Sequence, residues 1–118
     1  MDTTTQGQDA ESVTHDSGLV ALSEAMRALA DETRLRILCL LRDQPRYVYD
    51  LTERLGISQP LVSHHLKILK VAGLVCCRKD GQLVSYSVRM GTFRRLGLEA
   101  LWLNGGALAL VAQELSQD

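Results

Sequence analysis

The chain has 118 residues, of which 46% are hydrophobic, 23% charged and 4% aromatic, the size of one domain with a modest core, which excludes a multidomain enzyme. No apolar run reaches the roughly 18 residues of a membrane helix, and the N-terminal stretch lacks the basic start and apolar core of a secretion signal. Three cysteines (Cys39, Cys76 and Cys77) in no scaffold spacing exclude a disulfide framework, so a cytoplasmic protein with free thiols is expected.

The net charge of -1 hides an asymmetry: residues 1–53 sum to -5, residues 54–95 to +7 and residues 96–118 to -3. A basic middle third between acidic flanks suits a phosphate-bearing partner. Residues 1–17 are polar with almost nothing to bury and read as a flexible tail, leaving 18–115 as the folded domain. A first helix follows, with Leu22, Met26 and Leu29 as its apolar face. Asp31 suits an N-cap for a second helix, about Glu32 to Arg42, closed by Pro45. Its leucines and Ile37 occupy more than one face, which predicts a central position.

Two further segments, YVYDLTERL and SQPLVSHHLKILKVAG, are separated only by Gly56 and Ile57, which is helix-turn-helix spacing. Gly56 supplies a left-handed turn residue, Ser58 a capping hydroxyl, and Pro60 sits in the first turn, where its missing N–H does no harm. Val62, Leu66 and Leu69 share one face, which turns Ser63, His64, Lys67 and Lys70 outward. After Gly73, LVCCRK and QLVSYSV read as strands around an Asp80-Gly81 hairpin turn, with Arg78 and Lys79 near its tip. Residues 92–113 read as a final apolar helix, kinked or split at Asn104-Gly105-Gly106.

The strings ALADETRLRILCLL, YDLTERLGISQPLVSHHLKILKVAGLV and RKDGQLVSYSV resemble the ArsR/SmtB family of bacterial winged-helix transcriptional repressors, over roughly residues 28–88. The resemblance implies a mainly α fold with a small β-hairpin, a winged helix-turn-helix that dimerises through its first and last helices. It implies a homodimer on a pseudo-palindromic double-stranded DNA operator, with a recognition helix in each of two successive major grooves. On that geometry Ser58 caps its helix and touches phosphate, Gln59 and Ser63 meet bases or phosphates, and His64 reads the groove. Pro60 lies in the same first turn, Leu61 is placed for a thymine methyl, and Lys67, Arg78 and Lys79 neutralise backbone charge.

The metal sites of the family are not carried over. Where thiolate-binding relatives have Cys-x-Cys, this chain has Tyr47-Val48-Tyr49, and tyrosine does not replace a soft thiolate. Where others have an Asp/His pair at the start of the last helix, it has Met90, Gly91 and Thr92. His64 and His65 are neighbours about 100° apart on a helix and are poor joint ligands, so no metal or other cofactor is expected. His65 reads as a packing residue, Tyr47 and Tyr49 as partly core, and Trp102 as core or interface, with an effector pocket as the alternative.

Cys39 resembles one thiol of the persulfide-sensing subgroup, but its partner on the last helix is missing. Cys76 and Cys77 alternate on a strand and point to opposite faces. A thiol-based redox or metalloid sensor built on Cys39, Cys76 or Cys77 therefore stands as an alternative to a regulator whose effector the sequence does not name. A winged-helix protein-interaction module is a further alternative, one that leaves the +7 segment unexplained. No nucleophile has a base at suggestive spacing and no Gly-rich phosphate loop is present, so no enzyme is expected.

Overall fold

The computed structural model describes residues 17–102 and 106–116. Helix α1 covers residues 17–29 and leads through a two-residue bend into α2 (Glu32–Asp43). The Asp31 carboxylate accepts the Arg34 backbone N–H at 3.0 Å, the capping bond the sequence predicts. Glu32 in the first turn and Arg42 in the last oppose the helix dipole, and the helix ends at Gln44, extended because Pro45 follows. Ile37, Leu38, Cys39, Leu40 and Leu41 are all buried, and α2 packs against α3, α4, α6 and β3. It is the central element that its apolar pattern predicts, and each large side chain buried there contributes about 1.5–3 kcal/mol.

Strand β1 (Arg46–Tyr47) runs directly into α3 (Val48–Leu55), and α4 (Gln59–Val71) follows a short turn. Gly56 takes φ 66°, and its N–H bonds the Thr52 carbonyl, ending α3 with the left-handed residue the turn requires. At the other end of α4 the Leu74 N–H bonds the Leu69 carbonyl and the Gly73 N–H bonds the Lys70 carbonyl. That is a Schellman stop, with Gly73 at φ 78° and Leu74 fully buried. Strands β2 (Val75–Asp80) and β3 (Leu83–Val88) form the hairpin, and β1 adds to the free side of β3 in an antiparallel sheet of order β1-β3-β2.

Several expectations shift. The hairpin loop is Gly81-Gln82, not Asp80-Gly81, because Asp80 pairs with Leu83 and Gly81, at φ 65°, takes the first loop position, as in a type II′ turn. On α1 the buried side chains are Ala25 and Ala28, while Met26 is 55% exposed: small residues let α1 lie close to its neighbours, and Met26 falls on the outer face. Tyr49 is 57% exposed instead of partly core, stacked on Tyr47 at 5.6 Å. The expected final helix is instead α5 (Met90–Arg95), a 3₁₀ turn (Glu99–Trp102) and α6 (Ala107–Ser116).

The first of these breaks is another Schellman stop: Gly97 takes φ 74°, and the Leu98 N–H bonds the Phe93 carbonyl at 2.7 Å. Phe93 then meets Trp102 edge to face at 5.5 Å, which closes the core over α5. Gly106 precedes α6 where a Cβ would run into the Ala100 and Leu101 carbonyl oxygens. Asn104, Gly105 and the expected tail up to residue 16 lie outside the described residues, whereas Ser17 is already helical.

Two polar clusters, one partly buried and one buried, tie the helices to the ends of α2. Arg34 donates to the Ala28 and Arg27 carbonyls of α1 at 2.6 and 3.2 Å and approaches His65 Nδ1 of α4 at 3.3 Å. A guanidinium has no acceptor, so this contact requires Nδ1 of His65 to be unprotonated. Burial, opposed by Asp31 at 3.8 Å and reinforced by the charges of Arg34 and His64, lowers the His65 pKa below 6.5. Beyond the other end of α2, Arg46 is 6% exposed and donates to the Leu40 carbonyl and to Asp50 of α3, each at 2.9 Å, and to Asp43 at 3.3 Å. Burial works against the Asp50 carboxylate, but the hydrogen bonds from Arg46 and Arg54 outweigh it and hold its pKa below the usual range.

Arg46→Ala is expected to cost about 2–4 kcal/mol in urea denaturation, because it strands a buried carbonyl and unties α3. Arg54→Ala, half exposed at the same carboxylate, should cost about 1 kcal/mol or less. Equal losses would contradict this reading of the cluster. The unfolded chain takes up a proton at His65 before the folded chain does, so stability falls as pH drops through 6.5. Urea midpoints measured above and below that value should show the fall, and in His65→Asn this part of the pH dependence should be missing.

Candidate nucleic-acid interface

Helix α4 divides cleanly into two faces. Val62, His65, Leu66 and Leu69 are buried against the body, whereas Gln59, Pro60, Leu61, Ser63, His64, Lys67 and Lys70 are exposed. The 3.6-residue period places them so, and no Asp or Glu occurs in the helix. The Ser58 hydroxyl accepts the Leu61 N–H at 3.4 Å, which fixes the N-terminus and leaves the positive end of the helix dipole open to solvent. Ser58, Arg78 and Lys79 are exposed as well, so every side chain the sequence assigns to DNA contact is free to meet a partner.

The wing is positioned from two sides. In the sheet Arg78 pairs with Ser85 and Lys79 with Val84, which carries both cations to the hairpin end. Tyr47 of β1 donates its hydroxyl hydrogen to Asp80 at 2.6 Å, tying the tip to the start of α3, and that bond to a carboxylate raises the Tyr47 pKa. The contact was not legible in the sequence, because it depends on β1 pairing with a strand some 40 residues away. Near the wing base Lys70 of α4 faces Cys77, which raises the lysine pKa. The basic segment is not spent wholly on this face: Arg54 is engaged by Asp50, while Arg94 and Arg95 lie on α5.

The three thiols are kept apart. Cys39 is 2% exposed, donates to the Leu108 carbonyl at 3.5 Å, and burial pushes its pKa up to about 11. Cys76 lies 3.3 Å from the Ser87 hydroxyl across the sheet, whereas Cys77 pairs with Tyr86 and faces α4. Among the described residues no group of three or more His, Cys, Asp or Glu side chains is placed to hold a metal ion, and no helix is long and apolar enough to cross a membrane.

Residues 31–76 match the bacterial regulatory proteins of the arsR family. The chain is 41% identical over 83 residues to the HTH-type transcriptional repressor SmtB of Mycobacterium tuberculosis, a match covering 70% of this chain and 62% of the relative. Among solved structures, reduced HlyU of Vibrio cholerae aligns with a TM-score of 0.58 at 36% identity, over 75% of this chain and 92% of that one. The homodimeric winged helix-turn-helix domain of a possible ArsR-family regulator from Mycobacterium bovis aligns with a TM-score of 0.62 at 31% identity, over 68% and 75% of the two chains. With its capped second helix, its hairpin wing and these relatives, the chain belongs to the arsR family of bacterial regulatory proteins and has a winged helix-turn-helix fold.

Proposed function

We propose that the protein is a homodimeric, sequence-specific DNA-binding transcriptional regulator. The observation that carries this reading is the exposed, acid-free face of α4, with Gln59, Ser63, His64 and Lys67 beside a wing that ends in Arg78 and Lys79. Side chains of these types at a helix N-terminus read base edges in the major groove, and the wing cations pair with phosphate. Ser58 and Pro60 set the helix against the backbone, and Leu61, 42% exposed, is the apolar contact for a thymine methyl.

A second copy of the chain completes the surface. Leu19, Val20 and Met26 on α1 and Leu110 on α6 are more than half exposed in a single copy, and the Mycobacterium bovis relative is described as homodimeric. Pairing through these helices sets two α4 helices roughly 34 Å apart, one turn of DNA, on a pseudo-palindromic site. Whether binding represses or activates is set by the operator position, and the relatives include both a repressor and an activator. Nothing in the thiol geometry favours Cys39 as a sensor, since a thiol near 11 is almost wholly protonated at neutral pH.

Fluorescence anisotropy on DNA from upstream of the gene, against a scrambled duplex and with salt varied, tests the reading. The upstream duplex should bind at least about a thousandfold more tightly. Arg78→Ala/Lys79→Ala removes two cations from each protomer, so it should weaken binding to both duplexes and lower the log–log salt slope by about 3–4. His64→Ala should narrow the preference between them while leaving the slope unchanged. Equal, weak binding to both duplexes across a set of candidate operators would overturn the proposal.

A further inference from the structure

A cavity of about 380 Å3 opens between the end of α2, β1, the end of α3, the 3₁₀ turn and α6. Its volume lies in the range of small-molecule sites, roughly 300–1,000 Å3. The wall is not neutral: Arg42, Arg46 and Arg54 contribute to it against a single acidic residue, Asp43. Arg46 and Arg54 are already engaged by Asp50 and Asp43, but Arg42 makes no ion pair among the described residues and lies over the Trp102 ring at 5.4 Å. Trp102 is 4% exposed, and its Nε1–H is buried with no hydrogen-bond acceptor among the described residues. A buried indole N–H ordinarily finds a partner, because its hydrogen bond to water is lost on burial.

These features define an occupant. Trp102 Nε1 is a donor only and lacks an acceptor, and Arg42 beside the same ring brings a positive charge with no ion pair among the described residues, so an anionic acceptor fits both. Leu40, Leu115 and the protonated Cys39 add an apolar wall. We propose that this cavity is an effector site for a small organic carboxylate, its carboxylate held by Arg42 and the Trp102 N–H and its apolar body lying against α2 and α6. The regulatory half rests on the DNA-binding reading above. Coupling follows from the walls themselves, because Arg46 and Arg54 fix α3 through Asp50, and α3 packs on α4. A carboxylate that draws on either arginine alters how the helix-turn-helix is seated.

Trp102 is the only tryptophan, so its emission reports on the site without a label. The intact protein is titrated with benzoate and octanoate, and with benzamide and inorganic phosphate as the neutral and the purely ionic controls. Both carboxylates should give a saturable change in the millimolar range or below, with little response to either control. Arg42→Gln, at an exposed position that leaves the core intact, should weaken carboxylate binding about tenfold or more. Saturating carboxylate should change affinity for the preferred DNA about fivefold or more. No saturable response to either carboxylate, an equal response to benzamide or phosphate, or unchanged binding in Arg42→Gln would overturn the site. Carboxylate binding that leaves DNA affinity unaltered would overturn its role as an effector site. Failure of the ligand-free protein to bind DNA would count against the DNA-binding reading, while the fluorescence titration would still decide the cavity.

Discussion

Everything in this fold is referred to α2, and what fixes the other elements on it is an arginine near each end, Arg34 half-buried and Arg46 buried. A helix that is apolar on more than one face gives burial but little direction, since hydrophobic contact is nearly indifferent to small rotations. Arg34 and Arg46 supply the direction. Arg34 spends its donors on two carbonyls of α1 and on His65 of α4, while Arg46 binds an α2 carbonyl and Asp50 of α3. Both helices of the helix-turn-helix are thereby pinned to the same core helix by bonds of defined geometry. A guanidinium suits the task because its planar donors engage several acceptors at once.

The functional consequence is a division of labour between rigid support and exposed chemistry. His65 turns inward to meet Arg34, and its neighbour His64, about 100° around the helix, turns outward. The wing is likewise anchored by Tyr47 on Asp80, leaving Arg78 and Lys79 exposed. Because α3 is held through Asp50, and Asp50 is shared by two arginines that also line the cavity beside Trp102, the support of the reading surface and the wall of that cavity are built from the same side chains. On the proposed reading, this shared construction is the physical route by which a small ligand would change DNA affinity without touching DNA.

Much of this was legible in the sequence because it obeys local rules. The Asp31 and Ser58 caps, the left-handed Gly56 and the two faces of α4 are each decided within a few residues of chain. What was not legible depends on distant partners. β1 has only two residues and exists because β3 lies beside it; without that pairing Arg46 reads as one more surface cation instead of the hub it is. Met26 has the right spacing for a core position, yet the close approach of Ala25 and Ala28 decides which face of α1 is buried. Gly97 marked the break after α5, but inside an apolar run it reads as tolerated helix until its positive φ is seen. The cavity was approached only through Trp102, because its charge is assembled from separate elements of the chain.

The central claim is that the exposed face of α4 and the tip of the wing are the surface that meets DNA. Backbone amide NMR of the isotopically labelled protein, titrated with the duplex that binds most tightly in anisotropy, tests it residue by residue. The account predicts the largest shifts at Gln59, Ser63, His64 and Lys67 and at Arg78 and Lys79, with α5 and the solvent side of α3 little changed. Shifts concentrated on α5 or α6, with the α4 face unperturbed at saturation, would contradict it.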